Sequence, residues 1–322
     1  MIRRIFKVLA VALLVLALLV GGVWFLLQPP VLAVPSQERL VFSNMTVVNP
    51  GLDRRSGQTI TIEDGQIVAI TTEPAASSES AANPHFAGFY VLPGLIDMHV
   101  HHIPPDAELY GLLFLAHGIT TVRDTGDFSG AILEKRQQLQ DGKYPGPRLF
   151  ACGPIIDGDP PFWPGSRVVR TTDEARAAVE EVAAAGVDCV KVYGRLSAEL
   201  LTAIREAAAQ HQLPVVGHIP MAVPFAAAHL RDVQHLTGVP LHISRPDTSR
   251  VAQFAAWAAA WRDLDEARID FIVRTSVEQG VLHTPTLVVW AQMGRLRDYT
   301  TLRETPGARL LPRWYRDVFW QP

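Results

Sequence analysis

His99 and His101 stand two residues apart in Leu95-Ile96-Asp97-Met98-His99-Val100-His101, a run that resumes after a Pro93-Gly94 break. Two residues is the side-chain period of a strand, so an extended 95–101 puts both imidazoles on one face. Two neutral imidazoles on one face at the end of a buried strand make half of a metal site. Residues of similar chemistry recur downstream. Lys191 interrupts the apolar run 187–193, His218 closes Val215-Val216-Gly217-His218, and His235 closes Val233-Gln234-His235. An ammonium inside an apolar strand is costly unless something neutralises it. Singly, each histidine reads as readily as a hydrogen-bonded core residue, and the lysine as a carboxylate partner or a Schiff-base former. Their order along the chain, His-x-His, Lys, His, His, points instead to one shared metal site.

Such residues need elements that bring distant strand ends together. Strands are expected over 91–101, 119–123, 148–152, 187–193, 213–218, 232–235 and 281–289, and helices over 130–140, 172–185, 197–210 and 251–279. Strand and helix in alternation predict an α/β fold with a parallel sheet closed into a (β/α)8 TIM-like barrel, whose chemistry gathers at the strands' C-terminal ends. The metal-type residues fall at the ends of the first, fourth, fifth and sixth strands. Seven strands are found where eight are needed, so the barrel is expected to be incomplete. Upstream, 39–48, 58–62 and 66–70 with an Asp64-Gly65 turn predict a small antiparallel sheet, part of a β-sandwich. The expected domains are 1–35, an anchor or signal segment with linker; 36–90, the sandwich part; and 91–322, the barrel.

Composition bounds the partners. Apolar residues make up 48% of the 322, enough for a sizeable core, and a net charge of −3 gives no electrostatic basis for nucleic-acid binding. Residues 8–27 carry no charge and follow Arg3, Arg4 and Lys7. At about 1.5 Å per residue they would span roughly 30 Å as a helix. A transmembrane anchor is therefore expected there in preference to a cleaved signal, with the remainder periplasmic or extracellular. Cys152 and Cys189 are too few for a disulfide framework and fall in candidate strands, so unpaired buried thiols are expected.

On residues 91–101, Gly118-Ile-Thr-Thr-Val-Arg-Asp124, Val190-Lys-Val-Tyr193, Gly217-His218 and Gln234-His235, the chain resembles the metal-dependent amidohydrolase superfamily. Within it the resemblance is to the imidazolonepropionase-like group that includes membrane or secreted Xaa-Pro and Xaa-Arg dipeptidases, and it covers 39–311. The resemblance implies that His99 and His101 hold the more buried of two divalent ions, most simply zinc, and His218 and His235 the more exposed one. It implies that Lys191 bridges them as a carbamate formed with carbon dioxide, and that a hydroxide shared by the ions attacks the scissile carbonyl of a small amide or dipeptide. Lys191 favours amide hydrolysis over deamination, because the superfamily's deaminase branches usually lack it. Tyr193, on the same strand face, is a candidate oxyanion donor or a packing residue, and His283 a candidate substrate contact.

One element of the resemblance is missing. The family's strand-eight aspartate, usually in a Gly-Thr-Asp-like turn, has no counterpart after His235; Asp263, Asp265 and Asp270 read as a solvated helix face. The chain is therefore expected to be a truncated reading of a longer gene, poorly soluble alone and without hydrolytic activity. The alternatives are a non-catalytic membrane-tethered metal-binding remnant, and a cyclic-amide hydrolase or deaminase on the same scaffold. Arg123, Arg167, Arg195 and Arg245 are all candidates to meet a substrate carboxylate.

Overall fold

A computed structural model of the chain describes residues 2–26, 39–49, 51, 53–72, 86, 88–101, 107–127, 130–240, 250–262, 264–295, 298–311, 313, 316 and 317. The elements run α1 (Ile2–Leu26), β1 (Arg39–Val48), β2 (Arg54–Glu63), β3 (Gln66–Thr71), β4 (Tyr90–Val91), β5 (Leu95–Val100), α2 (Ala107–Ala116), β6 (Ile119–Asp124), α3 (Ile132–Gln140) and β7 (Arg148–Ala151). There follow β8 (Ile155–Asp157), β9 (Arg167–Val168), α4 (Thr172–Ala184), β10 (Val190–Val192), α5 (Ala198–Gln210), β11 (Val215–Gly217), α6 (Phe225–Ala228) and β12 (Asp232–Gln234). The last are α7 (Arg250–Arg262), α8 (Glu266–Gln279), β13 (Leu282–Thr284), α9 (Leu287–Arg295), α10 (Tyr299–Leu302) and α11 (Pro306–Arg309). Two compact units result: Met1–Ile96 with Ile103–Thr121 and Gln138–Arg148, and Asp97–His102 with Val122–Gln137 and Leu149–Pro322.

The first unit holds a sheet of order β3-β2-β1-β4. Asp64 and Gly65 take φ of 48° and 75°, the left-handed pair that a two-residue hairpin needs to match strand twist. β1 is one strand bent at Asn44, where φ is 58° and the register with β2 shifts on either side of Met45. Its inner face, Met45 and Val47, packs with Ile60 of β2 against Phe42, Ile62, Phe86 and Val91. Where part of a β-sandwich was expected, β1 to β4 form one four-stranded sheet, and β5, β6 and β7 form a separate three-stranded one. In α1 the described side chains from Leu9 to Val23 are apolar and exposed. No helix is long and apolar enough to cross a membrane among the described residues, so the anchor expected over 8–27 is not found there.

The second unit is the parallel part. β13, β12, β11, β10, β8 and β9 form one sheet in that order. The backbone bonds Thr125 N to Val100 O, Cys152 N to Asp124 O and Asp188 N to Ala151 O, of 3.0, 3.0 and 2.8 Å, carry the ladder back towards β5. Strand alternation sorts the side chains. Val190, Val192 and Val233 join the helix-facing core with Val179 and Val182 of α4 and Leu201 and Ile204 of α5. Lys191, Asp232 and Gln234 therefore take the other face. Thr171 and Ser197 cap α4 and α5 by accepting from Glu174 N and Leu200 N, fixing where each crossover helix begins.

Four expectations are corrected in this unit. The helix expected over 251–279 is two, because Asp265 accepts from Arg268 N and caps α8 rather than lying on a helix face. The strand expected over 281–289 ends at Thr284; Thr286 has φ of 49°, and α9 starts at Leu287. β8 and β9 extend the third crossing where a single strand, 148–152, was expected. Cys152 and Cys189 are joined by a disulfide. Neighbouring strands bring their Cα atoms to 4.4 Å, and both side chains face the same interior as Val216. After β13 the described residues form α9 to α11, with no eighth parallel strand among them.

Candidate metal centre

The five sequence-predicted donors, His99, His101, Lys191, His218 and His235, all belong to the second unit. The ring centroids of His99 and His101 lie 5.1 Å apart, those of His218 and His235 5.0 Å, and those of His99 and His235 4.3 Å. Two imidazoles on one zinc at 2.0–2.1 Å have centroids about 5 Å apart, so each pair is spaced as ligands to one ion would be. No group of three or more His, Cys, Asp or Glu among the described residues forms a metal-holding set by itself.

Local backbone geometry aims each ring. Gly217, with φ of 145°, sits so close to β10 that an added Cβ would stand 2.1 Å from Val192 O, so only glycine admits the turn that presents His218. Gly126 plays the corresponding part for His101: its carbonyl accepts from Nδ1 at 3.0 Å, and an added Cβ would meet Ile155 at 2.6 Å. His235 itself has φ of 57°, an uncommon conformation that turns its ring off the end of β12.

The hydrogen bonds fix the tautomers. Thr237 Oγ1 donates to Gln234 O at 3.1 Å, so towards His218 Nδ1, 3.0 Å away, it accepts. Thr286 Oγ1 donates to Pro285 O at 2.8 Å and accepts from His235 Nδ1 in the same way. A carbonyl faces His101 Nδ1. Three imidazoles thus carry their proton on Nδ1 and have Nε2 as the lone-pair nitrogen, the arrangement in which histidines ligate metals. His99 Nδ1 is buried with no hydrogen-bond partner.

Electrostatics keep the rings neutral. Burial, reinforced by Lys191, holds His99 and His218 well below the usual imidazole range and brings His235 to about 3. Burial also lowers Lys191 to about 7, helped by Arg123 and opposed by Asp232 and Asp124. Lys191 is 1% exposed; its Nζ donates to Gln234 Oε1 and lies 5.6 Å from the Tyr193 ring centroid. Uncharged nitrogen donors, one orphaned ring nitrogen and a buried amine close to neutrality fit a divalent metal pair in their chemistry.

Other predicted residues are placed differently. His283 faces α8, its Nε2 2.9 Å from Ser276 Oγ, because Val233, its partner in the ladder, packs against the helices. Tyr193 is buried and stacks on His218 at 3.9 Å, with Phe162 and Trp257 behind it. Arg123 is committed to Asp232 and to Met98 O, and Arg167 to Glu181 and Val168 O. The backbone N–H of Arg195 donates to Asp157. Arg245 and Asp263 lie outside the described residues. The positions that sequence reasoning passed over are Gly126, Asp232, Gln234, Thr237 and Thr286. Asp232 and Gln234 left one signal, two polar residues at strand spacing in an apolar run.

A family model described as Amidohydrolase family matches residues 90–257. No curated protein sequence matches the chain. Among solved structures, the bottromycin amidohydrolase is 23% identical with a TM-score of 0.57, over 70% of this chain and 49% of its own. A structure described as a putative prolidase from Bifidobacterium longum is 24% identical with a TM-score of 0.51, over 62% and 55%. A Xaa-Pro dipeptidase with bound methionine in its active site is 19% identical with a TM-score of 0.55, over 87% and 72%. The chain therefore spans about half the length of the first two, and at these identities the likeness is one of fold.

Proposed function

Because this chain belongs to the amidohydrolase family, we propose that its second unit is the metal-binding part of a hydrolase acting on the C–N bond of a small amide or dipeptide. One observation carries the reading: His99, His218 and His235 act electrostatically with a buried lysine, His101 stands beside His99, and three of the four rings are held by Nδ1 so that Nε2 is left as the donor. His99 and His101 would hold one divalent ion, His218 and His235 the other, and Lys191 would bridge them. Bound there, the ions, most simply zinc, would supply Lewis acidity and a nucleophile at neutral pH.

The chain's own residues prepare that site. Gly126 O, Thr237 Oγ1 and Thr286 Oγ1 hold the rings in the ligating tautomer, so no proton need leave an imidazole on binding. Lys191 at about 7 has a large amine fraction at neutral pH. The amine nitrogen can add carbon dioxide, forming an N–C bond and releasing a proton, which replaces a buried cation with an anionic oxygen ligand. Tyr193, Phe162 and Trp257 shield the His218 side from water.

The carboxylates acting electrostatically on Lys191 are engaged. Asp232 is held by Arg123 and by Thr284 Oγ1 at 2.9 and 3.0 Å, and Asp124 Oδ1 accepts from Gly126 N at 3.0 Å. That favours a second reading, a chain that binds metal without turning substrate over. Location outside the cytoplasm is part of the proposal and is supported by the disulfide between Cys152 and Cys189.

The test is a panel of aminoacyl-proline and aminoacyl-arginine dipeptides, cyclic amides and aminopyrimidines offered to the zinc-loaded chain. Zinc-dependent binding or hydrolysis of a dipeptide supports this reading, and binding without hydrolysis favours the second one. Preferential turnover of a cyclic amide or an aminopyrimidine contradicts it, as does a zinc-loaded chain that neither binds nor hydrolyses any dipeptide.

A further inference from the structure

Gln234 is fully buried on the interior face of β12, and its two amide atoms are treated unequally: Oε1 accepts from Lys191 Nζ, while Nε2 is buried with no hydrogen-bond partner. A buried amide donor left unmade is costly, and the rest of the residue is firmly held. Its backbone pairs with Thr284, and its carbonyl takes the Thr237 hydroxyl at 3.1 Å. Of the other groups that act on Lys191, two are carboxylates and one is already bonded elsewhere. Asp232 and Asp124 are acceptors, and the Arg123 guanidinium is committed to Asp232 and Met98 O.

We infer that Gln234 is a positioning residue for Lys191, offering its amide oxygen to the amine and, after a half-turn of the terminal amide, its amide nitrogen to a carbamate on the same nitrogen. The inference rests on the proposed reading of Lys191 as a bridging ligand. An amide is suited to both states because donor and acceptor share one arm and exchange places by one torsion. Adding carbon dioxide forms the N–C bond, releases one proton to solvent and creates oxygens that need a donor, which Nε2 supplies. An apolar residue of equal length would satisfy neither state.

The experiment compares the whole chain with Gln234→Met and Gln234→Asn, each equilibrated with zinc and 13C-bicarbonate. The carbamate carbon is read by 13C NMR, metal content by elemental analysis and folding by circular dichroism. The parent should show a carbamate resonance, and Gln234→Met should need roughly tenfold or more bicarbonate to reach the same intensity, with metal content rising in step. Recovery at high bicarbonate is a response that a merely structural role would not give. An unchanged bicarbonate midpoint in a folded Gln234→Met overturns the inference. Should Gln234→Met fail to fold, Gln234→Asn, which pulls the amide back by one carbon, must show the same shift. A parent without any carbamate resonance refutes the bridging reading itself and takes the inference with it.

Discussion

Replacing Lys191 with methionine should make the metal-free chain more stable at neutral pH. The amine is fully buried, and its pKa falls from 10.5 to about 7. That drop corresponds to about 5 kcal/mol of penalty carried by the folded state where both states are protonated. Methionine fills nearly the same volume without the charge, but leaves Gln234 Oε1 buried and unmatched, at a cost of about 1–3 kcal/mol. The net gain at pH 6 is therefore about 2–4 kcal/mol. The sign follows from the depressed folded pKa: the unfolded lysine holds its proton up to about 10.5, so the stability is present above that pH and is lost as pH falls through 7. Urea unfolding of the metal-free, bicarbonate-free chain from pH 6 to 9.5 measures it. The parent should gain about 1.4 kcal/mol per pH unit above pH 7 relative to Lys191→Met. Parallel pH profiles, or a variant less stable than the parent at pH 6, would refute the reasoning.

Three further outcomes are expected. Replacing both Cys152 and Cys189 with alanine should cost about 4 kcal/mol, from a sequence separation of 37; a urea midpoint unaffected by this change and by reductant would contradict the pairing. Thr237→Val removes the acceptor that fixes His218 and should weaken zinc binding by about 10–100-fold, read by competition with a chelator. Because His99, His218 and His235 are all neutral in the fold, with pKa values depressed below 6.5, stability is present above pH 6.5 and lost below it. The loss should reach about 4 kcal/mol per pH unit for three protons, and a flat stability between pH 5 and 6.5 would count against the buried arrangement.

The metal-type residues were legible because strand periodicity and strand-end position show in the order of the residues. His-x-His needs only a period of two to share a face, and Lys191 announces itself as a charge among valines. What was not legible depends on register across the sheet. Nothing local to Cys152 or Cys189 says that β7 and β10 are neighbours, so the disulfide was missed, as was the Arg123–Asp232 pair. The face that His283 takes was hidden for the same reason, since it is set by pairing with Val233. The split between α7 and α8 was missed because apolar residues run on both sides of Asp265, whose capping role competes with a helical one. α2, uniformly apolar over much of its length, offers no helical period to read.

The most direct measurement is the number of zinc ions bound per chain after equilibrium dialysis with bicarbonate, for the parent and for variants carrying alanine at His99 with His101, at Lys191, and at His218 with His235. The account predicts two ions in the parent, one half of the site lost with each histidine pair, and both ions weakened together when Lys191 is replaced. Zinc binding that ignores all three replacements, or a parent that binds none, would contradict it.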